Sequence, residues 1–333
     1  MQPDARLAPE LARLLERVAA EMGPLPDPTL LPAAEGRALT EASTRHWNVR
    51  MPAMRTTTTV WAPACAALGT GPVRMRAHVP PDPGAGVLLF VHGGGFCFGS
   101  PETHERCARV LAAASGLCVL VPDFRLAPEH PYPHGLFDVV SCLRASRSAA
   151  AEAGSPAGPV MIAGESSGAN MALAAILHEQ ALGRDAPCAA VLFCGTYGQD
   201  FSTESYRTFA DGPGLTRARM QRYWQAYSSG RDLSDDPLAC PLIATDASLA
   251  ALPPTYLVAA GVDPLLSETQ SLHSRLRAVG RDDPLTLVTG MTHAFIHYGA
   301  DLEQGQDALV RAGHWARQVC NAALVLDDGN SAR

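Results

Sequence analysis

Lysine is missing from the chain. Every one of its 26 basic residues is arginine, none grouped in a way that could track a phosphate backbone, and the formal net charge is −7. A nucleic-acid-binding surface is therefore not expected. C-x-x-C pairs are also missing: the nine cysteines, at positions 65, 97, 107, 118, 142, 188, 194, 240 and 320, form an odd set without disulfide-like spacing. They read as reduced, mostly buried thiols of a cytoplasmic protein. The stretch from Met1 to Ala20 lacks a basic segment followed by an apolar one, because Asp4, Glu10 and Glu16 interrupt every candidate, so no signal peptide is expected. Long hydrophobic runs are absent. Those present, such as Gly86 to Val91 and Cys118 to Val121, fall far short of a bilayer span, which excludes a membrane role. No internal repeat or low-complexity tract is visible, and only Asp327 to Arg333 reads as a flexible tail.

What is present is enough apolar residue to fill a sizeable core. The composition is 47% hydrophobic against 18% charged, and 333 residues leave room for one large α/β domain with an added lid or for two modest domains. Leu7, Leu11, Leu14, Leu15 and Val18 share one stripe, which predicts a leading helix over residues 7 to 20, closed by the breaker stretch Gly23 to Pro32. From residue 73 onward short apolar strands alternate with helical segments. The strands fall at Val73 to Val79, Val87 to Val91, Cys118 to Val121, Val160 to Ala163, Ala189 to Cys194, Thr255 to Ala259 and Leu285 to Val288. Between them Cys107, Val110, Leu111 and Ala114 share one helical face, as do Leu136, Val139, Val140 and Leu143. This alternation predicts an α/β fold with a mostly parallel central sheet flanked by helices. Residues 201 to 240 break it: they are polar and aromatic, with a helix expected from Arg217 to Tyr227, and an insertion there lies over the carboxyl edge of the sheet as a cap.

Two glycine motifs carry the chemistry. Gly164-Glu165-Ser166-Ser167-Gly168 follows one strand and opens a helix over Ala169 to Gln180, the setting in which a tight turn lifts a serine hydroxyl above a sheet. His92-Gly93-Gly94-Gly95-Phe96 follows another, and consecutive glycines free backbone N–H groups to hold an anion such as a tetrahedral oxyanion. A serine nucleophile needs an acid and then a histidine further along the chain. Asp263 in Ala260-Gly261-Val262-Asp263-Pro264 and His293 in Gly290-Met291-Thr292-His293-Ala294 stand at the ends of later strands. His293 and His297 also form an H-x-x-x-H pair, but neither the intervening Glu nor a third ligand at sensible spacing is present, so no metal is expected. Asp301 and Glu268 are the nearest competitors for the role of the acid.

With Asp123-Phe124-Arg125-Leu126-Ala127-Pro128-Glu129 added to these motifs, the stretch from about Arg74 to Arg317 resembles the hormone-sensitive-lipase-like (bacterial family IV) esterases of the α/β-hydrolase superfamily. The resemblance implies a triad of Ser166, Asp263 and His293, and an oxyanion hole from the N–H groups of Gly94, Gly95 and Ser167, with His92 and Gly93 supporting the loop. It implies a hydrolase core over residues 56–200 and 241–326, and a cap built from residues 1–55 and 201–240. Phe96, Phe98, Glu165, Tyr197, Tyr223 and Trp224 are the expected substrate-pocket residues, and such a ring of aromatics predicts a short acyl pocket. The chain departs from the family at Glu165 (usually Asp), Ser167 (usually Ala), Ala294 (usually Gly) and Ser267 (often Asp). The expected activity is cofactor-free hydrolysis of a small-molecule ester, with no nucleic-acid or membrane partner and a homodimer as the allowed assembly. The alternatives are a deacetylase or a lactone or elimination enzyme on the same triad, and, more remotely, a non-catalytic receptor, which would be expected to lack His293.

Overall fold

The computed structural model describes residues 6–23 and 26–331. Its framework is one eight-stranded sheet: β1 Thr56–Ala62, β2 Val73–Val79, β3 Val87–Val91, β4 Cys118–Pro122, β5 Val160–Glu165, β6 Ala190–Phe193, β7 Thr255–Val262 and β8 Leu285–Thr292, in spatial order β1-β2-β4-β3-β5-β6-β7-β8. The strands from β4 through β8 run parallel, and β1 and β2 are added antiparallel at one edge. Every strand expected from the sequence is present. β1 was not expected, because its Thr-rich stretch Thr56–Thr59 carries almost no apolar alternation and only Val60 and Ala62 are buried. It is held by backbone pairing along its whole length, Thr56 opposite Val79 through Ala62 opposite Val73, which a sequence pattern does not reveal.

Alternate residues of the central strands feed the two faces of the sheet. In β3, Val87, Leu89 and Val91 join one core with α4 (His134–Glu152) and α5 (Ser167–Ala181). Leu88 and Phe90 join the other, with α1 (Pro9–Met22), α3 (Glu105–Ser115) and α10 (Glu303–Ser331). Each fully buried side chain of this size contributes about 1.5–3 kcal/mol relative to exposure, so the continuous apolar runs fix the strands in the middle of a three-layer sandwich. α2 (Ala33–Thr44), α6 (Glu204–Thr208), α7 (Arg217–Ser228), α8 (Asp246–Ala250) and α9 (Leu266–Ala278) complete the helices among the described residues. α7 is the helix expected in the 201 to 240 insertion, and α2 was not anticipated. α10 runs to Ser331, into the stretch where a flexible tail was expected from Asp327; 332–333 lie outside the described residues.

Strand ends place the chemistry. β5 stops at Glu165, one residue before Ser166; β7 stops at Val262, one before Asp263; β8 stops at Thr292, one before His293; and β3 delivers His92 one residue past Val91. Because these strands are parallel, their carboxyl ends open on one edge of the sheet.

Candidate active site

Ser166 sits at φ 55, ψ −120, a backbone conformation that non-glycine residues rarely adopt, between the last residue of β5 and the first of α5. Its N–H donates to Phe193 O (2.8 Å), and the turn is tight enough that a Cβ on Gly168 would lie 2.1 Å from Val91 O. Glycine is needed there so that the elbow can press against β3. Ser166 Oγ is 2.9 Å from His293 Nε2, and His293 Nδ1 is 2.8 Å from Asp263 Oδ2. Asp263 is fully buried, and its other oxygen accepts the Leu265 N–H (2.8 Å). A carboxylate that accepts from Nδ1–H leaves the Nε2 lone pair facing the serine hydroxyl, the tautomer a general base needs. Burial alone would push the imidazole pKa down. The charge and hydrogen bond of Asp263 outweigh it, with Glu165 and Glu268 adding, so His293 is raised above its ordinary value.

The competitors for the acid are committed elsewhere. Asp301 pairs with Arg17 (3.2 Å) and Arg50 (3.0 Å). Glu268 is buried and accepts from the N–H groups of Tyr197 and Gly198 and from Tyr206 Oη; desolvation raises its pKa to about 7 against those hydrogen bonds. Ala294 stands at φ 60, ψ 19 in the left-handed region, which explains why glycine is usual at this position; alanine there costs on the order of 1 kcal/mol.

The glycine loop lies beside the serine. Gly94 has φ 123, and a Cβ on it would meet Phe98 O at 2.1 Å, so no other residue fits without moving the loop. The Gly94 and Gly95 N–H groups donate to no protein acceptor among the described residues, and both glycines line the cavity that also holds Ser166 and His293. The Ser167 N–H, at the first position of α5, is one of the orphan donors of a helix start. Below the loop His92 stacks on Phe124 (centroids 4.2 Å apart, 18° between planes), with Nδ1 2.8 Å from Gly93 O; burial pushes its pKa down to about 3 and keeps the ring neutral. Arg37 of α2 ties the loop to the Asp123–Glu129 segment. Its Nε donates to Cys97 O (3.0 Å), its Nη2 to Ala127 O (3.0 Å), and it pairs with Glu129. Sequence reasoning missed this brace, since an arginine in the leading segment carries no local sign of its partner. The other charges of that segment are structural too: Asp123 pairs with Arg74 (2.9 Å), and Arg125 reaches both oxygens of Asp138 (2.8 Å each).

The cavity over Ser166 measures about 290 Å³. Tyr223 and Glu165 line it, together with Trp47 and Tyr298, which the sequence did not single out. Four expected pocket residues are corrected to core packing. Phe96 stacks face to face on Tyr227 (3.7 Å), Trp224 meets Phe96 edge-on, Tyr197 is fully buried, and Phe98 packs edge-on against Tyr223. Rings near a motif in sequence were drawn beneath the cavity wall, because burying a whole aromatic surface outweighs lining a wet cleft. The H-x-x-x-H pair divides. His293 turns to Ser166 and Asp263, whereas His297, on the turn Phe295–Ala300, meets His104 edge-on at 4.5 Å. Glu165 lies between them, with Oε1 3.8 Å from His293 Nε2 and Oε2 3.6 Å from His104 Nε2.

A serine, histidine and carboxylate in one hydrogen-bonded line above a parallel sheet, beside free backbone donors, define the class of α/β-hydrolase-fold enzymes. Known proteins agree. A family model described as the alpha/beta hydrolase fold matches residues 88–297. An acetyl esterase of Salmonella schwarzengrund (strain CVM19633) is 31% identical over 319 residues, 93% of this chain and 95% of its own. The structure of an ester-hydrolase from the metagenome of Lake Arreo, complexed with a bipyridine phosphonate derivative, superposes with a TM-score of 0.86 at 30% identity, covering 94% of this chain and 98% of its own. An esterase of Pyrobaculum calidifontis gives a TM-score of 0.84 at 26% identity, covering 94% and 98%. The chain belongs to the α/β-hydrolase family, in its hormone-sensitive-lipase-like branch. It is a carboxylesterase.

Proposed function

We propose that the chain hydrolyses small carboxylic esters through an acyl-enzyme, with Ser166 as nucleophile, His293 as general base and then general acid, and Asp263 as the group that fixes the imidazole. The unbroken line from Ser166 Oγ to His293 Nε2 (2.9 Å) and from Nδ1 to Asp263 (2.8 Å) carries the reading. His293 takes the serine proton as Oγ attacks the ester carbonyl, the N–H groups of Gly94, Gly95 and Ser167 hold the oxyanion, and the same proton returns to the leaving alcohol. Water deprotonated by His293 then releases the acid. Ser166 Oγ and then water supply the attacking electron pairs, and His293 carries the proton of each to the group that leaves. A fluorophosphonate probe tests it directly: the adduct should map by peptide mass to Ser166, and a label at any other serine contradicts the assignment.

Residues 1–55 and 201–240 act together as the cap in this reading. Asp27, whose pKa falls to about 2 because hydrogen bonds from Thr29 and Arg219 outweigh its burial, joins the leading segment to Arg219 (3.1 Å) and Arg222 (2.6 Å) of α7. Absence of disulfides among the nine cysteines supports residence in the cytoplasm, and no helix of the described residues is long and apolar enough to cross a membrane.

The small cavity and the acetyl esterase relative favour short acyl groups. Each methylene that fits contributes about 0.8 kcal/mol of burial, so kcat/KM on nitrophenyl esters should climb over the first carbons and collapse once the cavity is full, with a maximum at roughly two to six carbons. A maximum at about ten or beyond sinks the short pocket.

Activity should also follow the ionisation of His293. Only the neutral imidazole is a base, so kcat/KM rises with pH through the free-enzyme pKa. Since Asp263 raises that pKa, the midpoint of the acid limb is expected above 6.5. A profile that is flat across that range, or a midpoint below it, contradicts the assignment.

A further inference from the structure

Glu165 stands immediately before the nucleophile with only 2% of its surface exposed, and its Oε1 has no hydrogen-bond partner. A buried carboxyl oxygen with no donor is costly, and such a group calls for an ion, a proton or a water to meet it. Two histidines from distant segments converge on it: His104, at the start of α3, and His297, on the turn after β8. One ligand atom from each of the three residues lies within 4.8 Å of the others, and all three residues line the cavity that opens over Ser166, which gives a small cation a route in.

The hydrogen bonds around His104 define its tautomer. Thr103 Oγ1 gives its own proton to Ser100 O (2.8 Å), so towards His104 Nδ1 (2.8 Å) it must accept, and Nδ1 carries the ring hydrogen. Nε2 is therefore a lone pair, met by the Gly93 N–H only at 3.3 Å, and it faces Glu165 Oε2 across 3.6 Å. That separation is close to the ~3.4 Å edge between neighbouring ligands of a tetrahedral zinc ion. The Thr103 bond is the kind of outer contact that orients a metal-binding imidazole. Neither ring nitrogen of His297 hydrogen-bonds to protein among the described residues.

We propose that His104, Glu165 and His297 form a binding site for a first-row divalent cation, with Zn²⁺ the best match to two imidazoles and a carboxylate, and that its occupation inhibits the enzyme. Inhibition follows from position. Glu165 Oε1 lies 3.8 Å from His293 Nε2, where its charge favours the imidazolium formed when the serine proton moves, and a cation held by the same carboxyl group opposes that charge. The inhibition rests on the ester-hydrolysis reading above; the binding does not.

The two are separated by measuring both. Equilibrium dialysis of Zn²⁺ against the full chain should show one tight equivalent, and Co²⁺ in its place should give the visible bands of a tetrahedral site. His297→Ala and the milder His297→Gln should each weaken Zn²⁺ binding, and raise the Zn²⁺ concentration for half-inhibition, by at least about tenfold, with each variant referred to its own metal-free rate. The rival location is Cys194, Asp263 and His293, whose ligand atoms are equally close together. Cys194→Ser should leave both quantities unchanged. Absence of Zn²⁺ binding in the unmodified chain overturns the proposal, as does relief of inhibition by Cys194→Ser in place of the His297 variants. A chain that binds Zn²⁺ through His297 yet hydrolyses no ester upholds the site and sinks the ester reading alone.

Discussion

Ser166→Ala is expected to lower kcat on nitrophenyl acetate by on the order of 10⁴-fold or more, with KM changed far less. The covalent route disappears while the backbone donors of the glycine loop remain, so a residual rate above that in water should survive. His293→Ala should cost a similar factor, and the double variant should be no worse than either single one, because a nucleophile without its base and a base without its nucleophile fail at the same step. Steady-state kinetics on the three proteins decide the matter. Near-normal activity in Ser166→Ala removes the proposed nucleophile, and greater damage from His297→Ala than from His293→Ala moves the base. The geometry makes that second result unexpected, since His293 alone of the two bonds to Ser166 and Asp263.

Asp263→Asn should slow the chemical step by roughly 10³–10⁴-fold and leave substrate binding nearly intact. The amide can donate to Nδ1 and so move the ring hydrogen to Nε2, where it blocks proton transfer from Ser166. The same change removes the charge that raises the His293 pKa, so the acid limb of kcat/KM should move to lower pH. Rate and midpoint are independent readouts. A variant that keeps full kcat transfers the role to another carboxylate, but Glu268 is tied to the Tyr197 and Gly198 N–H groups and Asp301 to two arginines, so neither is free to take it up.

The strands and the residues at their ends were legible because each depends on local pattern. A continuous apolar run needs no knowledge of its neighbours to be read as a buried strand, and a glycine pentapeptide after such a run marks a turn. Asp263 and His293 could be placed for the same reason, each shortly after an expected strand (Thr255 to Ala259, Leu285 to Val288), although β7 and β8 run on to Val262 and Thr292. β1 failed this test, since its threonines become a strand only by pairing with β2. The pocket failed it too: Phe96, Phe98, Tyr197 and Trp224 are near the motifs in sequence or in their expected elements, but their rings turn into the core, whereas Trp47 and Tyr298, from opposite ends of the chain, line the cavity over Ser166.

By itself the sequence determined the α/β alternation and the positions of the serine turn and the glycine loop after their strands, because strand and turn chemistry are set within a few residues of each position. The tertiary structure alone decided which rings form the cavity wall, that Arg37 braces the loop from α2, and that His297 leaves His293 to meet His104 and Glu165. These depend on side-chain direction and on contacts between segments tens to hundreds of residues apart. Close packing of the whole core fixes such contacts, and a local pattern carries no record of them.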